Sequence, residues 1–322
     1  MDKIIFFHMN QLGDLLFSLP VVKAARKQYP DIKIYSVVRS NLAGLLKSTG
    51  LVDKIYIKEK SAAKRIGLIK EIRKENIGTA VLFSESPESL ISVFLSNIKK
   101  RVGFRTAGLK ILLTDKAVKT GVPSLSNNIA LAKTAGISNI QNNYTDIIKI
   151  NSEAELAVLK WLQENNMSGK KFTVISPGAS TRRREKCLQK NVWIETVNKL
   201  HDKNINIIIV GAKWEKKNIA DIADKSRIKT HIFCPDGGLL ELASLLSKAE
   251  YFIGIDSGTM HLAASLGIRC IALYGKTDPG QIGPQPAGKH AIIKRNSAKD
   301  ITSEEIIDTF KKMGSKNEVC EL

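Results

Sequence analysis

The densest chemistry in the chain lies at Gly254-Ile255-Asp256-Ser257-Gly258-Thr259-Met260-His261-Leu262-Ala263-Ala264. An apolar run ends at Ile255 and a helix begins near Gly258, so this is a strand-to-helix turn. The first N–H groups of a helix lack intrahelical partners, and small residues let an anion approach the backbone, which makes such a turn a phosphate site. The dipole adds only ~0.3–2 kcal/mol, so further donors are needed. Ser257 and Thr259 offer hydroxyls, and His261, about one turn in, offers a ring N–H. The plain alternative is that Asp256 or Ser257 caps the helix and His261 packs below it.

A second cluster, Ser176-Pro177-Gly178-Ala179-Ser180-Thr181-Arg182-Arg183-Arg184-Glu185-Lys186, also follows a predicted strand. Hydroxyls followed by a basic loop suit a pyrophosphate, whose charge must be held as a leaving group departs. Any one of those arginines read singly is a solvated surface residue. In the same half, Gly211-Ala212-Lys213-Trp214-Glu215 follows a strand. Glu215 there could accept protons from ribose hydroxyls, or serve only the dipole of the next helix.

The third cluster opens the chain: His8-Met9-Asn10-Gln11-Leu12-Gly13-Asp14-Leu15-Leu16-Phe17-Ser18-Leu19-Pro20. Gly13 permits a tight turn, and Asp14 projects from the end of the first strand. An isolated carboxylate facing substrate can act as general base, an effect of roughly 10²–10⁴-fold in rate. An N-cap Asp is the competing reading, with Pro20 marking a kink or restart of the helix.

The elements that must position these clusters alternate strand and helix. Apolar runs at Lys3–His8, Ile32–Val38, Lys54–Ile57 and Ala80–Phe83 predict strands, with a helix to about Tyr29 and a basic one over Lys64–Lys74. The pattern restarts with strands at Phe172–Ser176, Ile205–Val210, His231–Phe233, Tyr251–Ile255 and Cys270–Tyr274. Helices are predicted between them at Val192–Leu200, Trp214–Ala223, Leu239–Ser247 and Thr259–Leu266. Such alternation implies βαβ units and two parallel, doubly wound sheets. A helix at Glu153–Gln163 and the polar run Asn165, Asn166, Ser168, Gly169 separate the two series, which places domains at 1–151 and 152–322. The last helix, Ser303–Met313, is amphipathic and suits either half. Two Rossmann-like halves would present their strand carboxyl ends to a shared cleft.

The bulk numbers fit two globular domains: 322 residues, 43% hydrophobic and 25% charged. Fifty Lys and Arg against 31 Asp and Glu give a net charge of +19. That field concentrates anionic partners such as phosphorylated substrates, nucleic acid or acidic lipid headgroups. Cys187, Cys234, Cys270 and Cys320 form no CxxC pair, which argues against a zinc site or disulfide framework and suits a reducing cytoplasm. No apolar stretch approaches the ~20 residues of a membrane span. There is no Asp-x-Asp pair for a metal on a donor pyrophosphate, and no GxGxxG after the first strand. Gly275-Lys276-Thr277 is no P-loop end, because Cys270 stands five residues before Gly275 and Asp278-Pro279 follows.

Together the clusters resemble glycosyltransferase family 9, the ADP-heptose:lipopolysaccharide heptosyltransferases. The matching stretches are Leu12-Gly13-Asp14 with Leu19-Pro20, Pro177-Gly178-Ala179-Ser180, Gly211 with Glu215, Asp256 through Ala264, Tyr274-Gly275, Thr277-Asp278-Pro279 and Gly283-Pro284. The resemblance implies a GT-B fold, with acceptor bound by the N-terminal half and nucleotide-sugar by the C-terminal half. It implies an inverting transfer without a bound metal and without a cofactor, the nucleotide-sugar being a substrate. Asp14 is then the catalytic base, and His8, Asn10 and Gly13 belong to the acceptor loop. Ser180, Thr181 and Lys186 hold the pyrophosphate, and Glu215 sits at the ribose. Asp256, Ser257, Gly258, Thr259 and His261 line the donor site. The last helix in such folds often crosses back to the first domain.

The chain departs from the family pattern in places. His8 stands where Lys or Arg is usual, which predicts a pH-dependent charge. Lys186-Cys187-Leu188-Gln189 replaces the usual Lys-Arg-Trp-Pro, leaving Arg184 as a rival to Lys186. Lys58, Lys60, Lys64, Arg65, Lys99, Lys100, Arg101 and Arg105, each singly readable as a solvated surface residue, together suit an anionic, lipid-linked saccharide acceptor met in the cytoplasm at the inner membrane face, with reversible contact to the anionic membrane surface. The rivals are a GT-B nucleotide-sugar epimerase, a catalytically silent sugar-nucleotide binder, and a nucleic-acid-binding protein. Against the last stand 6% aromatic content and no recognition module.

Overall fold

The computed structural model of the chain describes residues 3–59, 61–121, 123–178, 183–227 and 230–315. Two compact units, Met1–Lys149 and Ile150–Leu322, make up the chain.

The first unit runs β1 (Lys3–Phe7), α1 (Leu12–Gln28), β2 (Lys33–Val38), α2 (Ser40–Ser48), β3 (Lys54–Ile57), α3 (Ala62–Lys74), β4 (Thr79–Leu82), α4 (Pro87–Leu95), β5 (Lys100–Phe104), β6 (Asp115–Ala117) and α5 (Ser124–Ala135). Its strands pair in parallel in the order β3-β2-β1-β4-β5-β6. The continuous apolar run of β1 requires cover on both faces, as parallel strands do. Ile4 and Phe6 pack with Val21 and Val22 of α1 and Leu131 of α5. Ile5 and Phe7 face the opposite core, with Ile72 of α3 and Leu90 and Val93 of α4. Each such side chain contributes roughly 1.5–3 kcal/mol by burial. The helix α1 continues through Pro20 without restarting. Proline removes one intrahelical bond there, and Asn128 of α5 donates to the nearby Phe17 carbonyl at 3.0 Å.

The second unit runs α6 (Ser152–Glu164), β7 (Phe172–Ser176), α7 (Lys190–His201), β8 (Asn206–Val210), α8 (Lys216–Lys225), β9 (His231–Phe233), α9 (Leu239–Ser247), β10 (Tyr251–Ile255), α10 (Gly258–Ser265), β11 (Arg269–Tyr274), α11 (Pro279–Ile282), β12 (Ala291–Lys294) and α12 (Ser303–Ser315). Its parallel order is β12-β11-β10-β7-β8-β9. Counted from its own first strand, this is the order of the first sheet, the Rossmann order. The amphipathic α12 buries Ile306, Ile307 and Phe310 in the core of its own unit, against α7 and β12.

In each sheet the order reverses between the first and fourth strands, β1/β4 and β7/β10. Open α/β sheets bind ligands outside the strand carboxyl ends at that reversal. The turns after these four strands are therefore where functional side chains should gather.

Candidate active site

In the first unit the turn after β1 carries His8, Asn10, Gly13 and Asp14. Gln11 is the N-cap of α1 and makes no side-chain cap bond. Asp14 is thus the third helical residue, half-buried in the first turn, and not the cap itself. A negative charge is favourably placed there relative to the helix dipole. Asn10 is half-buried, and its Oδ1 is buried with no hydrogen-bond partner among the described residues. Such an acceptor costs stability unless something donates to it.

His8 corrects an expectation. Its ring is buried, stacked on Phe83 with centroids 5.5 Å apart. Ser18 Oγ lies 2.8 Å from Nδ1 and itself donates to the Leu15 carbonyl, so Nδ1 carries the proton and donates to Ser18. Nε2 is left to accept from Ser36 Oγ at 3.2 Å. Burial pushes the pKa down to about 3, so the ring is neutral at working pH and carries no switchable charge there.

In the second unit, Lys186 and Asp256 come together. They follow β7 and β10, the two strands flanking the order reversal, and form an ion pair that is mostly buried. Asp256 is the first residue after β10, two before the start of α10. Ser257 is the N-cap of α10 in extended conformation, its Oγ accepting from the Met260 N–H at 3.4 Å. The capping role therefore falls to Ser257, with Gly258 and Thr259 as the first helical residues. His261 is buried 3% exposed, and burial pushes its pKa down to about 4 against the opposing pull of Asp256. The ring is therefore neutral at working pH and lies beside Asp256 at the start of α10. Ser180 and Thr181 lie outside the described residues, as does the side chain of Arg184.

Glu215 is buried beside the turn after β7. Its Oε2 accepts from the Ala212 N–H at 2.8 Å, while Oε1 lies against Gly178. Burial raises its pKa, partly offset by that backbone bond. The carboxylate borders a cavity of about 470 Å³ between α7 and α8. Leu188, Trp193, Trp214, Ile219 and Ile222 supply its apolar walls, and Lys190 and Asn218 its polar ones. This size lies within the ~300–1,000 Å³ of small-molecule sites. Trp193 is fully buried, and its Nε1–H has no partner among the described residues. Sequence reading missed Trp193, because at its place on α7 an indole reads only as core.

Other anticipated residues are structural. Gly275 packs on the backbone of Ala298, where an added Cβ would come within 2.6 Å of its N atom. Asp278 caps α11 by accepting from the Gly280 N–H at 2.8 Å. Among the described residues, no group of three or more His, Cys, Asp and Glu side chains could hold a metal ion.

Two Rossmann-like domains, one with an anion-suited turn at its order reversal, define the GT-B fold of nucleotide-sugar enzymes. Glycosyltransferase family 9 (heptosyltransferase) matches residues 65–313, and the chain belongs to that family. It is a nucleotide-sugar-dependent glycosyltransferase. Lipopolysaccharide heptosyltransferase 3 of Escherichia coli K12 is 24% identical over 300 residues, 84% of this chain and 81% of its own. The solved ADP-heptose lps heptosyltransferase II of E. coli superposes with a TM-score of 0.83 at 18% identity, covering 98% of this chain and 99% of its own. E. coli heptosyltransferase WaaC with ADP gives 0.78 at 20% identity, covering 97% and 99%. Asp14 precedes the residues matched by the family.

Proposed function

We propose that the chain transfers heptose from ADP-heptose to a saccharide of the lipopolysaccharide core, inverting the anomeric centre and drawing on no bound metal. The observation that carries this reading is the Lys186–Asp256 pair. Asp256 draws the ammonium to the start of α10, so a fixed cation and the first N–H groups of a helix share one place. An ADP diphosphate needs that combination as it leaves. The family relatives are named for heptose transfer, and one was solved with ADP.

In the proposed reaction the acceptor hydroxyl oxygen attacks the anomeric carbon. The bond from that carbon to the diphosphate oxygen breaks, and ADP departs with the electron pair. Asp14 takes the hydroxyl proton. Lys186, Ser180, Thr181 and the N-terminal turn Ser257–Thr259 offset the growing phosphate charge. The neutral His261 ring, beside Asp256, lines the same donor site. Glu215 receives the ribose hydroxyls in the cavity it borders. Gly13 and Asn10, whose Oδ1 has no partner among the described residues, meet the acceptor, while His8 fixes the turn from beneath. The acceptor is an anionic, lipid-linked saccharide on the cytoplasmic side.

The test is nucleotide release from ADP-heptose and from UDP-, GDP- and dTDP-sugars, each with and without a lipopolysaccharide-core acceptor. ADP release that requires the acceptor is the expected result. Conversion of a donor without acceptor would point to an epimerase instead.

A further inference from the structure

We infer that α3, α4 and the turn Lys110–Leu112 form the face by which the enzyme rests on an anionic lipid bilayer. This extends the proposed lipid-linked acceptor, and its test does not depend on sugar transfer. The helix α4, Pro-Glu-Ser-Leu-Ile-Ser-Val-Phe-Leu, contains no Lys or Arg and is apolar on two sides. Leu90 and Val93 face the core. Ile91, Phe94 and Leu95, spaced to share one face of the helix, are exposed, Phe94 by 48%. A helix apolar all round ordinarily lies inside a protein, yet α4 is in the outer layer of its unit.

The neighbours of α4 extend the same surface. Both α3 and the Lys110–Leu112 turn pack against it. Each adds an exposed isoleucine: Ile66, and Ile111 at 85% exposure. Single surface apolar residues need no explanation, but a group on three adjoining elements does. Its surroundings are basic. Residues 61–111 hold ten Lys and Arg against four Glu, and Lys64, Lys70, Lys99 and Lys110 are exposed. The Arg101 guanidinium sits 5.5 Å from the centre of the Phe94 ring, holding a cation beside the apolar group.

Charge decides between occupants. A second copy of this chain would bring an equally basic face against this one. A bilayer with acidic headgroups offers an apolar layer for Phe94, Ile91 and Ile111 and phosphates for the lysines around them.

The experiment is sedimentation of the full chain with vesicles of equal parts phosphatidylglycerol and phosphatidylcholine, or of phosphatidylcholine alone. The wild type should sediment with the acidic vesicles, and about tenfold less with neutral ones or when salt is raised from ~0.1 M to ~0.5 M. Ile91→Ser/Phe94→Ser should lose about tenfold in vesicle binding while keeping turnover on a delipidated acceptor. Ile111→Ser, at a side chain too exposed to support the fold, should weaken binding in the same direction with an unchanged melting temperature. A wild type that stays in the supernatant, or serine variants that bind as well as it does, would overturn the inference. So would a concentration-dependent dimer that Phe94→Ser dissociates, since the face would then belong to a second copy. Vesicle binding without transfer activity would leave this inference standing and count against the proposed reaction alone.

Discussion

A Cβ added to Gly178 would lie 1.8 Å from the Oε1 atom of Glu215. The glycine after β7 is thus needed for room: it leaves space for a carboxylate that arrives from the turn after β8. Gly178→Ala should push that carboxylate off its position and break its bond to the Ala212 N–H. The stability cost is small, about 1 kcal/mol for the lost hydrogen bond, because the moving group is the end of a flexible side chain. The cost to ADP affinity should be larger, roughly tenfold, or ~1.4 kcal/mol. Calorimetric titration with ADP measures it, and an unchanged Kd would remove Glu215 from the donor site.

Lys186 and Asp256 make a second pair whose halves depend on each other. Lys186→Ala strands a buried carboxylate, a loss of about 3–5 kcal/mol when both partners are fully enclosed. Lys186 retains 16% exposure, so the low end of that range is expected. ADP binding and turnover should fall together. Adding Asp256→Asn should recover part of the stability, read by urea unfolding, and none of the affinity. Wild-type ADP affinity in Lys186→Ala would pass the diphosphate to Arg184.

The buried histidines set a pH dependence. His8 falls from an ordinary 6.5 to about 3 in the folded chain, so the unfolded chain binds the proton more readily between those values. Its contribution is complete above pH ~6.5 and is lost as pH falls toward 3, at about 1.4 kcal/mol per pH unit. His261, lowered to about 4, acts in the same direction. Urea unfolding between about pH 7 and about pH 4.5 should show a shallower slope in His8→Gln than in the wild type. Equal slopes would mean that His8 titrates normally.

Trp193→Phe keeps an aromatic wall but removes the indole N–H together with the five-membered ring. If the cavity beside Glu215 receives the nucleoside, ADP affinity should drop by about tenfold, the worth of one hydrogen bond in a dry site. The melting temperature should fall modestly, by the equivalent of about 1–2 kcal/mol, because the smaller ring leaves a void in the core around Trp193. Filling the cavity with Leu188→Trp should block ADP more strongly. Unaltered affinity in both variants would place the nucleoside elsewhere.

Much of this arrangement could be read from residue order. Buried parallel strands are continuous apolar runs, so β1, β7 and β10 stand out as KIIFF, FTVIS and YFIGI. The short edge strands β6 and β12, DKA and AIIK, and β5, whose KRVGF opens on two charges, gave no comparable signal. The turn before α10 was legible because cap, glycine and hydroxyls are contiguous. Lys186 with Asp256 and Gly178 with Glu215 were not legible as contacts. Each joins turns that follow different strands, and only the Rossmann order brings those strands side by side. His8 misled because sequence shows a titratable ring but not the two serines and the phenylalanine that enclose it.

The most direct test of the account is single-turnover kinetics of Asp14→Asn alongside an ADP titration of the same variant. A fall of roughly 10²–10⁴-fold in the rate of transfer is expected, with the ADP Kd unchanged. Transfer at the wild-type rate, or loss of ADP binding in step with turnover, would contradict Asp14 as the base.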